Sequence, residues 1–159
     1  MLERTLVLIK PDGVQRSLTG EIITRFEKVG LKVVGLKMVW ANKKFAQQHY
    51  DAHKGKKFFL SLVNFLSEGP VVAIVLEGLH AIEVVRKLVG PTEPRTAAPG
   101  TIRGDMAHHS YEYTDKKGIP IKNLIHASGD KKDADKEIKL WFSAKELHSY
   151  KATHDVHVL

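Results

Sequence analysis

Apolar residues fall along the chain in two rhythms, a continuous or alternating one that suits strands and a wider spacing that suits helices. Thr5 to Ile9 is an apolar, β-rich run that predicts a buried strand, ended by the turn residues Pro11, Asp12 and Gly13. Thr19 can cap a helix whose inward stripe is Ile22, Ile23, Phe26 and Val29, with Glu21 in its first turn and Gly30 as its stop. Leu31 to Trp40 predicts a second strand, with Val34, Leu36, Met38 and Trp40 alternating onto one face. Asn42 can cap a short helix through Tyr50, and Phe59, Leu62, Val63 and Leu66 mark another that Gly69-Pro70 breaks. Val71 to Leu76 is continuously apolar, as a strand covered on both faces would be. His80 to Val89 carries Ile82, Val85 and Leu88 at helical spacing and stops at Gly90-Pro91.

Beyond this point the punctuation is denser. Gly90 to Gly100 reads as a long loop, and loops of that length commonly carry function. Ser110 to Ile121, with Tyr111, Tyr113 and Ile119 flanking Asp115-Lys116-Lys117-Gly118, predicts a β-hairpin. Asn123 to Ile125 suits a brief strand, Ala127 to Asp130 turns the chain, and Asp133 to Phe142 predicts a helix with Ile138, Trp141 and Phe142 on one face. Ser143 to Leu159 is a tail with little periodicity. The order β-α-β-(αα)-β-α-β predicts helices packed on a sheet, and alternation alone would suggest a parallel one.

A length of 159 residues suits a single domain spanning 1–159, and 43% hydrophobic residues can fill its core. There is no cysteine, so disulfides and thiolate-bound metals are excluded. No apolar run is long enough to span a bilayer, and Met1-Leu2-Glu3-Arg4 has no signal-peptide layout, so a cytoplasmic protein is expected. The formal charge of +7 favours polyanion partners: nucleic acid, anionic membrane or phosphorylated small molecules.

Candidate chemistry centres on His126, placed where a strand gives way to a turn. Imidazole there can act as nucleophile or base, or the residue can be half-buried and structural. His108-His109 and His154 with His157 lack the second set of ligands that a metal site needs.

Asn123-Leu124-Ile125-His126-Ala127-Ser128, followed by Lys136-Glu137-Ile138-Lys139-Leu140-Trp141-Phe142, resembles the active-site signature of nucleoside diphosphate kinases. Leu8 to Val14 resembles that family's N-terminal signature. His49-Tyr50, Phe58-Phe59, Gly69 to Val72 and Pro99 to Asp105 follow in the family's order, so the likeness runs from about Arg4 to Tyr150. It implies a ferredoxin-like βαββαβ core with a four-stranded antiparallel sheet, an α+β sandwich. It implies transfer of the γ-phosphate of ATP or another nucleoside triphosphate to a nucleoside diphosphate, Mg²⁺-dependent and ping-pong, through a phosphohistidine at His126. Glu137 matches the glutamate that fixes the imidazole, Ser128 a serine beside it, and Tyr50 a tyrosine close to the phosphate. Lys10, Arg86, Thr92, Arg103 and Asn123 match nucleotide-binding positions, and Phe58 the aromatic on which the base stacks. The family also implies homo-oligomers, hexamers or tetramers of similar dimers.

Three departures stand out. Ala127 replaces the usual glycine after the histidine; Gly129 stands where an aspartate is usual, with Asp130 one place later; and the segment between Asp105 and Asn123 is longer than the common pattern. The last suggests a hairpin insertion near 108–121, outside the catalytic core, with Ile119 or Pro120 as candidates for the apolar partner of the base. Gly129, by adopting a positive φ, could re-aim Asp130 to hold a metal through water; Asp130 could instead cap the following helix. Two alternatives to the enzyme are a nucleic-acid-binding module using the charge with Tyr111 and Tyr113, and a nucleotide-binding descendant without catalysis.

Overall fold

The computed structural model describes residues 1–159. Its strands are β1 (Leu2–Ile9), β2 (Lys32–Val39), β3 (Val71–Leu79) and β4 (Ile125–Ala127), hydrogen-bonded in the order β2-β3-β1-β4. Every neighbouring pair is antiparallel. The parallel sheet that alternation alone suggests is therefore wrong, because periodicity reports which residues are covered and says nothing of strand direction. The chain path of the resemblance supplies the right topology.

Both faces of the sheet are covered, which is why β1 and β3 read as continuous apolar runs. On one face, Val7, Ile9, Val72, Ile74, Leu76 and Ile125 pack against helices α2 (Thr19–Glu27), α5 (Ala81–Val89) and α6 (Ile102–Met106). On the other, Leu6, Leu8, Val71, Ala73 and Val75 meet α3 (Lys43–His49), α4 (Phe59–Ser67) and α8 (Lys131–Trp141). Short helices α1 (Pro11–Gln15), α7 (Tyr111–Lys117) and α9 (Asp155–Val158) complete the set. No helix is long and apolar enough to cross a membrane.

Several local expectations are met. Asn42 accepts a hydrogen bond from the Phe45 amide at 2.9 Å and caps α3, and Gly90, with φ +85°, ends α5. Others need correction. Thr19 lies inside α2 and makes no cap, the preceding residue being Leu18. Pro11 to Gly13 open a helical turn, since proline is compatible with the first helical position. The last strand is displaced to Ile125–Ala127, with Leu124 held at φ +71° before it.

In β2 the register shifts between Val33 and Gly35, a bulge that turns Val34 into the core. Leu36 and Met38 then point to the opposite face of an edge strand and stand 53% and 62% exposed, and Trp40, just past the end of the strand, is 68% exposed. The expected alternation of Val34, Leu36, Met38 and Trp40 onto one face is therefore wrong, because the bulge puts Val34 on the other face from Leu36 and Met38 and the open edge leaves the latter uncovered.

The expected hairpin at Ser110–Ile121 is a helix. Ser110 accepts from the Tyr113 amide at 3.2 Å as N-cap, Thr114 is buried, and Gly118 takes the left-handed conformation at φ +62° that ends α7. Asp-Lys-Lys-Gly, which suits a hairpin turn, is here the last helical turn and its stop. The hairpin that supported the nucleic-acid alternative is thus absent from this segment.

Candidate active site

His126 is the middle residue of β4 and pairs with Leu8. Strand alternation sends Ile125 and Ala127 to the α2/α5 face and His126 to the face covered by α3 and α8. There its Nε2 lies 2.9 and 3.0 Å from the two carboxylate oxygens of Glu137, on α8. Ser128 Oγ donates to Glu137 Oε2 at 2.6 Å and accepts from the Leu6 amide at 3.3 Å. Burial works to raise the Glu137 pKa, yet the hydrogen bonds from His126 and Ser128 prevail and hold it below the ordinary carboxylate value. An ionised Glu137 can only accept, so Nε2 carries the imidazole proton and Nδ1 keeps its lone pair. His126 is 24% exposed, which leaves it reachable from solvent.

His49 and Tyr50, at the end of α3, back this pair. The rings of His49 and His126 lie 4.7 Å apart with their planes at 88°, and Trp141 Nε1 donates to His49 Nδ1 at 3.3 Å. Burial, then the neighbouring His126 and Lys10, lower the His49 pKa well below 6.5 and keep it neutral. His49, His126 and Glu137 offer ligand atoms within 4.8 Å of one another. An indole N–H is only a donor, however, so Trp141 places the His49 proton on Nε2 and no lone pair is presented there to a metal. The Tyr50 hydroxyl is buried without a partner, and burial, reinforced by Glu137 and Asp12, raises its pKa and keeps its proton in place.

A second network joins the cationic residues. Lys10 Nζ donates to Asn123 Oδ1 at 2.8 Å, and Asn123 Nδ2 donates to the Thr92 carbonyl at 2.8 Å. Arg103 donates from Nε, Nη1 and Nη2 to the carbonyls of Asn123, Gly90 and Ile125 at 3.2, 3.0 and 2.6 Å. Burial, aided by Arg103, lowers the Lys10 pKa to about 8, and burial lowers that of Arg103 to about 10. Two buried cations without a full counter-charge form a site that favours an anion.

Close backbone approaches make this possible. A Cβ on Gly104 would sit 2.1 Å from the Ala98 carbonyl oxygen, so only glycine lets α6 bring Arg103 against the loop. Thr101 caps α6 by accepting from the Gly104 amide at 3.0 Å. The Pro99–Asp105 run is distinctive because it is this packed turn.

Phe58, Arg86 and Asp130 belong to neither network. Phe58 is the N-cap residue of α4, 49% exposed, with the His53 ring 5.6 Å away. Arg86 is exposed on α5, near enough to Arg103 for its charge to weigh on it. Asp130 caps α8 through a 2.8 Å bond from the Asp133 amide to its Oδ1. Gly129 is not among the residues with positive φ, so the suggested re-aiming through a left-handed backbone does not occur. Thr92 contributes its backbone carbonyl to the network; its side chain is open to solvent.

Sequence reasoning passed over three residues of this site. Asp12 looked like a turn former; its Oδ2 accepts from the Leu124 amide at 3.0 Å while its Oδ1 is buried without a partner. His49 entered only as part of a matching dipeptide, and Trp141 only as core. The sequence shows Asp12 only as a carboxylate two residues after a strand-end lysine; its burial and its unpartnered oxygen are not written there. Nothing in the spacing announced the Trp141–His49 bond, which joins residues 92 positions apart.

An oriented strand histidine beside buried cations, on a two-faced antiparallel α+β sandwich, defines a class of protein: one equipped to pass a phosphoryl group. The family model described as nucleoside diphosphate kinase matches residues 3–147, and the chain belongs to that family. The nucleoside diphosphate kinase of Pyrococcus furiosus is 52% identical over 149 residues, covering 94% of this chain and 88% of its own. That of Borreliella burgdorferi is 46% identical over 156 residues, covering 95% and 93%. Among solved structures, a transition-state mimic of the Borrelia burgdorferi enzyme with bound vanadate and ADP matches with a TM-score of 0.96 at 45% identity, covering 99% of this chain and 96% of that one. The Halobacterium salinarum enzyme in complex with CDP matches with a TM-score of 0.87 at 42% identity, covering 98% and 97%. The chain is accordingly a phosphotransferase with nucleotide substrates, on the ferredoxin-like fold of its structural neighbours.

Proposed function

We propose that His126 Nδ1 is the nucleophile that carries the phosphoryl group between two nucleotides. The observation that carries this reading is the double approach of Glu137 to Nε2, which fixes the tautomer and frees Nδ1. In the first half-reaction the Nδ1 lone pair bonds to the γ-phosphorus of a nucleoside triphosphate. The bond from that phosphorus to the β,γ-bridging oxygen breaks, and its electrons leave on the nucleoside diphosphate. Imidazolium charge that develops on the ring is met by Glu137, itself steadied by Ser128. In the second half-reaction a β-phosphate oxygen of another nucleoside diphosphate attacks the same phosphorus and restores neutral His126.

Lys10, Arg103 and Arg86 would neutralise phosphate oxygens, with Lys10 and Arg103 exchanging carbonyl and amide partners for the substrate. Tyr50, a buried hydroxyl without a partner, would donate to the transferring phosphoryl group once it is in place. Asn123 and Thr92 would meet the sugar and phosphate side of the nucleotide. Phe58, half exposed, would stack the base, which suits purines and pyrimidines alike. The residues present fit a nucleotide-borne Mg²⁺: Asp12 has a buried oxygen without a partner, and Asp130 spends one carboxylate oxygen on its cap. That ion would supply charge neutralisation at the β- and γ-phosphates. We further propose a single catalytic domain over 1–159, cytoplasmic and homo-oligomeric, a hexamer or a tetramer of similar dimers. Against a catalytically silent descendant stand the complete His126–Glu137–Ser128 and Lys10–Asn123–Arg103 networks.

Incubation with γ-labelled ATP and Mg²⁺ should give an acid-labile, base-stable label on His126, discharged by GDP with formation of GTP. His126→Ala should carry no label while folding normally. A label of normal size in that variant would overturn the reading.

A further inference from the structure

We propose that Trp141 and His49 act as one positioning unit that holds the plane of the His126 imidazole, so that Nδ1 meets phosphorus in line. This inference rests on the reading of His126 as nucleophile.

An imidazole N–H points along its ring plane, so the hydrogen bond to Glu137 anchors the His126 ring in that plane and fixes where Nε2 sits. A single in-plane anchor leaves the ring free to tip about it, and tipping swings Nδ1, the atom on the far side. What prevents tipping must press on the face of the ring. His49 is placed to do so: centroids 4.7 Å apart and planes at 88° set the edge of one imidazole against the face of the other. The structure also shows which edge suits the contact. Trp141 donates to His49 Nδ1, so the His49 proton is on Nε2, and that atom is buried with no oxygen or nitrogen partner. A buried N–H without a conventional acceptor is costly unless it meets an electron-rich surface, and an aromatic face is such a surface.

Trp141 is itself immobilised. It is 3% exposed, takes an edge-to-face contact with Phe45 at 4.8 Å, and lies on α8, the helix that carries Glu137. One helix thus supplies the in-plane anchor directly and the face-on anchor through His49. A protonated His49 would set a cation against the forming imidazolium; its burial keeps it neutral.

The test uses the full-length protein, first confirmed to take label from γ-labelled ATP on His126. In single-turnover mixing with MgATP, His49→Ala and Trp141→Phe should each slow phosphorylation of His126 by on the order of tenfold or more, since small misplacements of reacting atoms cost that much. ADP affinity should stay within about twofold of the parent, because neither side chain hydrogen-bonds to Lys10, Asn123 or Arg103. The double variant should be no slower than the slower single one, as members of one unit are not additive. In ¹⁵N-histidine NMR, His126 should be the Nε2–H tautomer in the parent and should remain so in both variants, since the Glu137 anchor is untouched and only the ring plane is released. Unchanged phosphorylation rates in folded variants, or equal losses of rate and ADP affinity, would overturn the unit while leaving His126 as the labelled residue. Absence of label in the parent protein would instead overturn the reading of His126.

Discussion

At the scale of single residues, the site separates orientation from charge. Glu137 bonds to His126 and to Ser128, which is held in turn by the Leu6 backbone; Lys10 and Arg103 supply positive charge from buried positions. Burial makes Lys10 sensitive to pH. With its pKa lowered to about 8, Lys10 loses its proton in the nucleotide-free protein as pH rises past that value. Nucleotide capture, read as kcat/KM, should fall above about pH 8. Saturated turnover should fall at higher pH, because bound phosphate favours the charged lysine. Lys10→Met should lower kcat/KM by roughly tenfold to a hundredfold, the loss of a charged hydrogen bond, and should flatten that alkaline limb. The effect on stability has the opposite sign: between about pH 8 and the ordinary lysine value of 10.5, the unfolded chain binds a proton that the native one has shed. Through this group stability therefore rises with pH across that window. Glu137, lowered in the folded state, contributes stability above the ordinary carboxylate value that is lost as pH falls through its folded pKa. His126, Glu137 and Lys10 were legible because short runs of sequence surround each with matching neighbours. Asp12 and His49 were not, because what singles them out is an atom left without a partner, and that exists only in three dimensions.

At the scale of elements, α8 carries most of the orientation, and Asp130 starts it. Asp130→Ala should cost about 1 kcal/mol through loss of the cap, while Asp130→Asn should melt close to the parent. The asparagine variant also tests the proposed link to Mg²⁺. If that carboxylate serves the metal through water, half-maximal rate should need several-fold more Mg²⁺; an unchanged requirement would leave Asp130 as a cap alone. Helix α7 shows where local pattern misleads. Tyr111, Tyr113 and Ile119 around Asp-Lys-Lys-Gly suit a hairpin, but a Ser110 cap, buried Thr114 and an i,i+4 pair between Glu112 and Lys116 at 2.9 Å decide for a helix. Nor does this helix stand apart. Glu93 accepts from the Tyr111 amide at 3.0 Å, the His109 carbonyl accepts from the Arg95 amide at 3.1 Å, and His109 Nδ1 accepts from the Lys122 amide at 3.3 Å. These bonds tie α7 to both sides of the Thr92–Asn123 contact. Replacing Tyr111–Gly118 by a short Asn-Gly turn should therefore raise nucleotide KM several-fold with phosphoenzyme formation at saturation little changed. An unaltered KM would return the segment to a surface ornament.

At the scale of the whole molecule, the sheet has two unlike edges. Strand β4, at one edge, carries His126; β2, at the other, carries Leu36 and Met38, which with Trp40 just past its end form an open stripe. Trp40 Nε1 donates to the Ser67 carbonyl at 3.0 Å, so its one polar atom is already engaged, and what the ring offers outward is apolar. On the opposite face of β2, Lys37 is engaged with Glu146 at 2.7 Å and with the Phe142 ring, so that face belongs to the protein's own packing. An unpaired edge with such a stripe invites pairing with a second chain, and full burial of each large side chain would contribute roughly 1.5–3 kcal/mol. The bulge at Val34 separates Val34 from Leu36 and Met38, which is why simple alternation placed all of them on one face. We expect Met38→Glu with Trp40→Glu to shift the protein to a smaller species in sedimentation velocity and to lower its melting temperature. Because β3 and β1 separate this edge from β4, the small species should still take label on His126. A variant that sediments like the parent would show that assembly uses another surface; one that dissociates and also loses label at full occupancy of ATP would show that the site is completed only in the assembly.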